Sequence, residues 1–231
     1  MKRLPVAILA GGLATRLRSL TERTPKSLLA IAGRPFLFHQ LQLLQQQGVE
    51  RVVLCVGHLA EQIEAAAGDG RRFGLSIEYS RDGARLLGTG GALKRALPLL
   101  GEEFFVLNGD SYLPCSFEQL QAAYFAAGLP ALMAILRNDN RWDRSNVRFE
   151  AGAPLEYDKH SRRSDMRHID FGVSVFSRSA LAQYPDNTFI DLADICRDLS
   201  VHGRLAACEV FERFYEVGSL QGIADTEAFL R

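Results

Sequence analysis

Three short segments of the 231-residue chain carry residue types that could do chemistry together. The first runs Leu9-Ala10-Gly11-Gly12-Leu13-Ala14-Thr15-Arg16-Leu17-Arg18 and closes at Pro25-Lys26-Ser27. Two glycines behind an apolar run let backbone approach a ligand closely. The N–H groups of such a loop form an anion-binding concavity. Arg16, Arg18 and Lys26 add positive charge, and a guanidinium grips phosphate bidentately. This is the chemistry of a phosphate or nucleotide loop; a glycine turn with solvated arginines is the plainer alternative. No Gly-Lys-Ser/Thr or G-x-G-x-x-G occurs, so it is neither a P-loop nor a dinucleotide fingerprint. The second segment, Leu87-Gly88-Thr89-Gly90-Gly91-Ala92, puts flexible backbone and a hydroxyl at a helix start. Free N–H groups there suit a base or phosphate, and an ordinary threonine cap explains the segment as well. The third, Phe104-Phe105-Val106-Leu107-Asn108-Gly109-Asp110, ends an apolar strand in a carboxylate. One carboxylate with phosphate oxygens is the usual way to hold Mg²⁺; the alternative is a turn residue.

The elements that must position these segments read as short apolar runs alternating with amphipathic stretches. Strands are expected at Leu4 to Leu9, Arg51 to Val56, Ser76 to Tyr79, Glu103 to Leu107 and Ala131 to Leu136. Helices are expected at Phe36 to Gln47, Leu59 to Ala67 and Phe117 to Ala127. A further helix, capped by Thr89, runs to about Ala96, with Pro98 at its end. A polar loop fills Ala10 to about Pro35. From Val147 to Phe176 short strands follow one another, and helices return near Ser179, Ile190 and Ser219. Alternation of strand and helix implies an α/β fold with a mostly parallel sheet covered on both faces. The strand-rich middle adds a small antiparallel part. Ligands in such sheets bind beyond the carboxyl ends of the strands, which is where Ala10, Asp110 and the residues after Tyr79 fall.

Composition bounds the function. Apolar residues make up 47% and charged residues 23%, as in ordinary globular domains. Lys plus Arg and Asp plus Glu are 27 each, so no whole-protein attraction to nucleic acid or to an anionic membrane is expected. Cys55, Cys115, Cys196 and Cys208 form no C-x-x-C pair, and reduced thiols are expected. No apolar run approaches the ~18 residues of a membrane helix. A single cytoplasmic domain over residues 1–231 follows. The histidines form no metal-binding or catalytic cluster, Trp142 has no assigned role, and Asp191, Asp194 and Asp198 read as a solvated helix side or an N-terminal cap. The charged run Asp158 to Arg167 reads as a solvated loop, or as a mobile lid over an anionic ligand.

Taken in order, Leu9-Ala10-Gly11-Gly12, Thr15-Arg16-Leu17, Leu20-Thr21, Pro25-Lys26, Leu87-Gly88-Thr89-Gly90-Gly91-Ala92 and Asn108-Gly109-Asp110 resemble the sugar-1-phosphate nucleotidylyltransferases. The wording is most similar to the branch of heptose-1-phosphate and mannose-1-phosphate guanylyltransferases. The resemblance implies a Rossmann-like three-layer α/β/α fold of the nucleotide-diphospho-sugar transferase type. It implies a monomer or homodimer that takes a nucleoside triphosphate and a sugar 1-phosphate with Mg²⁺, GTP and D-glycero-D-manno-heptose 1-phosphate being the first pair expected. Supply of nucleotide sugar for lipopolysaccharide or another surface polysaccharide would follow. Other nucleotidyl transfers, or a weakly catalytic nucleotide-sugar binding subunit, are the alternatives.

Carried over residue by residue, the resemblance gives catalytic roles to Arg16, Lys26 and Asp110. Nucleotide binding falls to Ala10, Gly11, Gly12, Thr15, Gly88 and Thr89, with Asp82 near the base or ribose. Sugar-phosphate binding falls to Asn146, Asp158, Lys159, Asp170 and Gly172, and metal binding to Asp110 and Glu216. The chain departs from the family pattern at Ala14 for glycine, Ser19 and Ser27 for proline, Asp158 for glutamate and Glu216 for aspartate.

Overall fold

The computed structural model describes residues 2–12, 17, 21–150, 155–160 and 163–231. Ala14, Thr15, Arg16 and Ser19 therefore lie outside the described residues. The strands are β1 (Val6–Leu9), β2 (Ala30–Ile31), β3 (Arg34–Pro35), β4 (Arg51–Val56), β5 (Ser76–Arg81), β6 (Glu103–Asn108), β7 (Ser111–Tyr112), β8 (Ala131–Arg137), β9 (Val147–Arg148), β10 (Glu156–Tyr157), β11 (His168–Ser177), β12 (Leu205–Val210) and β13 (Tyr215–Glu216). The helices are α1 (Phe36–Gln46), α2 (Ala60–Ala67), α3 (Gly88–Leu100), α4 (Phe117–Ala127), α5 (Leu192–Val201) and α6 (Leu220–Leu230).

In the main sheet β1 lies between β4 and β6, and β5 flanks β4, all parallel. On the other side β11 runs antiparallel to β6 and β8, and β12 joins β8 in parallel. The short β9 and β10 pair antiparallel beside the start of β11. Small two-stranded ladders join β2 to β3 and β7 to β13.

Side chains alternate across a strand, and both faces are apolar. Val6, Ile8, Val52 and Leu54 pack with Leu37, Leu41 and Leu44 of α1 and Phe117 and Leu120 of α4. Ala7, Val53 and Cys55 point the other way, toward Leu93, Ala96 and Leu97 of α3 and Ile195 and Leu199 of α5. The result is the mostly parallel, mixed three-layer α/β/α sheet expected. Burying each such Leu or Ile stabilises the fold by about 1.5–3 kcal/mol. By contrast, α6 buries only Thr226 and rests on the site's edge.

Some elements differ from expectation. Helix α3 passes through Pro98 to Leu100. Proline there removes the partner of the Lys94 carbonyl, but Leu97 and Leu100 are buried against the sheet, which offsets that loss. Thr89 does not cap α3; its hydroxyl accepts from Leu192 N–H (2.8 Å), at the start of α5. Near Ser179 only a 3₁₀ turn, Arg178–Leu181, forms. Strand β12 was not expected, because its Leu-Ala-Ala-Cys-Glu-Val run lacks both clear alternation and β-branched residues except the last.

The approach of β6 to β1 fixes where the third segment ends. Gly109 N–H donates to Leu9 O (3.1 Å), and a Cβ on Gly109 would sit 2.4 Å from that oxygen. Backbone on both sides leaves nothing flexible to yield. Gly109→Ala is expected to cost about 1–3 kcal/mol of stability, read as a lower midpoint in urea unfolding. An unchanged midpoint would show that the crossing relaxes freely.

Candidate functional site

Beyond the carboxyl ends of β1, β4, β5 and β6 lies a cleft in two adjoining halves. The first, about 500 Å³, is lined by Ala10, Gly11, Gly12, Lys26, Asp82 and Gly88 among others. The second, about 550 Å³, is lined by Asn146, Asp170, Gly172 and Glu216 among others. Thr89, Asn108, Asp110 and Lys159 line both. The described parts of all three chemistry-bearing segments thus meet at one place.

The first half is built mainly by backbone. Ala10 N–H donates to Cys55 O (2.9 Å) and His58 N–H to Gly11 O (3.3 Å), so the loop after β1 is laced to the end of β4 and to the loop that follows it. Asp82 follows β5, and its carboxylate accepts from Leu87 N–H (3.0 Å). Burial pushes the Asp82 pKa up, against opposing pulls from that N–H and from Arg95. Asp82 therefore fixes the turn into α3 as well as lining the cleft. At the glycine-rich start of α3, two of the backbone donors its sequence suggests are already used. Gly90 and Gly91 N–H both donate to Ile190 O (2.8 and 3.2 Å). A Cβ on Gly91 would sit 2.3 Å from Thr188 O, so glycine here permits close packing of the 188–190 segment. Gly88 and Thr89 still border the cleft.

At the junction Lys26 Nζ lies 2.7 Å from Asp110 Oδ2, with both side chains mostly withdrawn from water. Ser111 Oγ donates to Asp110 Oδ1 (3.3 Å). Val217 N–H donates to the Asp110 carbonyl (2.9 Å), and Glu216 pairs with Ser111 across β13 and β7. Two carboxylates distant in sequence are thereby tied into one stretch of backbone. Ser219 Oγ donates to Glu216 Oε1 (3.1 Å). Among the described residues no group of three or more His, Cys, Asp or Glu could hold a metal. Two carboxylates completed by phosphate oxygens do suit Mg²⁺, which keeps few protein ligands.

In the second half Lys159 Nζ meets Asp191 Oδ2 (3.0 Å). Asp191 caps α5 through Ala193 N–H and accepts from the Thr89 hydroxyl (3.0 Å each). Burial pushes the Asp191 pKa up, but Ala193 N–H, Lys159 and Thr89 outweigh it and hold the carboxyl below the usual range. Asp158 borders neither half; its carboxylate accepts from His160 N–H (2.8 Å) and faces Arg197 (3.5 Å). Asn146 Oδ1 accepts from Asp170 N–H (2.9 Å), and Asp170 Oδ1 accepts from Gly172 N–H (2.9 Å). This sits at an irregularity in β11, where the register against β8 shifts between Asp170 and Ser174. Sequence reasoning missed Asp191 as a partner of Lys159, and missed Trp142, Arg213 and Phe214, which line the second half. Only the aromatic and cationic residue types hinted at the last three.

Known proteins share stretches of this sequence, and others share its fold. A family model described as nucleotidyl transferase matches residues 6–142. Over 104 residues the chain is 46% identical to N-acetylmuramate alpha-1-phosphate uridylyltransferase of Neisseria meningitidis, 45% of each chain. It is 42% identical over 105 residues, again 45% of each, to D-glycero-alpha-D-manno-heptose 1-phosphate guanylyltransferase of Aneurinibacillus thermoaerophilus. Over 179 residues it is 32% identical to mannose-1-phosphate guanylyltransferase catalytic subunit beta of Drosophila melanogaster, 75% of this chain and 48% of the other. These matches span about half the length of each curated relative. In fold, the chain is similar to HddC from Yersinia pseudotuberculosis complexed with GMP-PN, with a TM-score of 0.82, 22% identity, and 99% and 100% of the two chains covered.

Burial raises the Asp170 pKa from 3.8 to about 6, against opposing pulls from Gly172 N–H and Lys159. Between those values the folded chain holds a proton that the unfolded chain releases. This group therefore costs stability above about pH 6, and the cost fades as pH falls toward 3.8. Asp170→Asn, which keeps an oxygen for Gly172 N–H, is expected to raise unfolding free energy at pH 7.5 and to change it little at pH 4. Urea titrations at both pH values check this; an equal effect at the two would mean Asp170 is solvated.

Proposed function

The chain belongs to the nucleotidyl transferase family, and on that footing we propose that it transfers a nucleoside monophosphate from a nucleoside triphosphate to a sugar 1-phosphate. An oxygen of the sugar phosphate attacks the α-phosphorus, forming a new P–O bond. The bond from the α-phosphorus to the bridging oxygen breaks, and pyrophosphate leaves with that electron pair. A phosphate monoester is mostly dianionic at pH 7, its second pKa being about 6. The nucleophile needs no general base, in keeping with a cleft lined by no histidine among the described residues.

The observation that carries this reading is the Lys26–Asp110 contact at the junction of the two halves. Transfer between two anions is limited by their repulsion and by charge on the leaving group, so positioning and neutralisation are the protein's work. The backbone of Ala10, Gly11 and Gly12 would face the nucleotide phosphates. Lys26 would bridge donor and acceptor phosphates, and Arg16 would hold the pyrophosphate. Asp110 and Glu216 would hold Mg²⁺, which when bound supplies positive charge at the α-phosphate. Lys159, anchored by Asp191, would meet the sugar phosphate, and Asn146, Asp170 and Gly172 would shape the sugar pocket. GTP with D-glycero-D-manno-heptose 1-phosphate is one pairing; the names of the relatives above also include uridylyl transfer. No helix among the described residues is long and apolar enough to cross a membrane. We propose a cytoplasmic protein acting as monomer or homodimer.

The test is pyrophosphate release with Mg²⁺ over a grid of GTP, UTP, dTTP, CTP and ATP against sugar 1-phosphates. One strong pairing, abolished by EDTA, is expected. Asp110→Ala and Lys26→Ala should each lower kcat by about 100-fold or more. Full turnover by both variants in folded form, or an empty grid with nucleotide still bound, would overturn the reading.

A further inference from the structure

The two long edge strands of the main sheet are finished differently. Among the described residues β5 pairs with β4 alone, and β12 pairs with β8 alone. An edge strand leaves a row of backbone N–H and C=O groups open to another strand, and charged side chains are a common guard against that. β5 has such a guard. Arg81 pairs with Glu61 and Glu64 of α2, Arg51 of β4 pairs with Glu78, and the Tyr79 hydroxyl donates to Gly68 O. β12, six residues long, has none. It holds no Lys, Arg or Pro, and its one acid, Glu209, is engaged by His168 of β11 (3.2 Å). Ala206, Ala207 and Cys208 are small enough to let a further strand approach. They stay half-buried, whereas Ala7 and Val53 in the middle of the sheet are fully buried.

The ends of β12 carry what would hold a second strand there. Val201 before it and Phe211 after it are 75% and 83% exposed. Arg204 has no ion pair among the described residues, and Glu212 holds only the bond from Phe211 N–H (3.2 Å). Residues directly opposite in an antiparallel pair share a face. Ala206, Cys208 and Val210 pack on the face of α4, and Leu205 and Ala207 on the face of α5. Two copies of β12 related by a twofold axis must therefore pair with the axis through a residue, not between two. An axis through Cys208 sets Ala206 against the partner's Val210 and Leu205 against the partner's Phe211. It also sets Arg204 against the partner's Glu212, and each of these contacts occurs twice. Alternation carries Phe211 to the α5 face, beside the exposed Val201 that ends the partner's α5. An axis through Ala207 would instead set Leu205 against the partner's Glu209 and Arg204 against the partner's Val210.

We propose that β12 is the pairing edge of a symmetric homodimer. Two copies join antiparallel about Cys208 into one continuous sheet, with an Arg204–Glu212 ion pair at each end. The occupant is a second copy of this chain because the apolar and charged ends of the strand complement each other when it is reversed on itself. Closure about the twofold axis, with β5 guarded, stops growth at two. β12 runs directly toward Arg213 and Phe214, which line the second half of the cleft. Pairing therefore steadies the approach to that half from outside. The dimer stands or falls apart from the reaction proposed above.

Sedimentation equilibrium over about 1–100 µM protein reads the assembly, and amide hydrogen exchange at low and high concentration locates it. Arg204→Glu and Glu212→Arg each set like charges against one another twice. The double variant Arg204→Glu, Glu212→Arg restores both pairs. Both positions lie outside the strand's own ladder with β8, so the fold is kept. The wild type is expected to dimerise, with β12 amides exchanging more slowly at high concentration. Each single reversal should weaken the dimer by about ten-fold or more, and the double variant should recover most of that loss. A monomer throughout the range overturns the inference and leaves the edge to a different strand donor. A dimer whose protection falls elsewhere, or one indifferent to both reversals, also overturns it. So does a double variant no better than the singles, or an assembly that grows beyond two copies.

Discussion

Between Lys26 and Asp110 an ammonium and a carboxylate meet at 2.7 Å in a place that water reaches poorly. Each charge there has lost much of its hydration, and each depends on the other for compensation. The remainder of the architecture serves to bring such groups together. Asp110 comes off the end of a central parallel strand, and Lys26 from a 3₁₀ turn, Lys26–Leu28, in the long segment after β1. A bound phosphate could take over Lys26, and a cation could take over Asp110. Such an exchange trades one compensated contact for two, so the desolvation already spent in folding need not be spent again on binding.

The two halves of the cleft draw on different parts of the sheet. The first half uses main chain from loops after parallel strands, where side-chain identity matters little. The other half uses side chains from β11, from the 138–146 loop and from the segment around β13. A main-chain half beside a separately built side-chain half is consistent with one fold serving relatives whose names cite different nucleotidyl groups and sugars.

What the residues disclosed in advance follows the same division. β1, β4 and β6 are buried on both faces and read as unbroken apolar runs. Their glycine and acid terminators mark the site directly, which is why Ala10, Gly11, Gly12 and Asp110 could be placed by type and spacing. The fate of the Gly90 and Gly91 N–H groups could not be read, because Ile190 O reaches them from a remote segment. Nor could the Lys159–Asp191 pair, or the meeting of Trp142 with Arg213, which only the tertiary path of the chain creates. Asp158 shows the opposite failure: its type and neighbour suited the motif, but the backbone turns its carboxylate toward His160 and Arg197. Pro98 and β12 are places where burial and pairing with a neighbour overrode local preference.

The attachment of Glu216 has a consequence for how the molecule gives way. It reaches Asp110 through a two-residue ladder and one backbone bond, and the helix that follows is held by Thr226 and by a small cluster apart from the main core, with Ile223 and Leu230 on Ile31, Phe36 and Val217 and Phe229 stacked on Tyr215. Local opening free energies track such anchoring, and weakly anchored segments come loose well below the global transition. On heating, the second carboxylate should depart while the main sheet is still intact. Inactivation would then precede melting, and amide exchange in α6 would run ahead of exchange in β1 and β6.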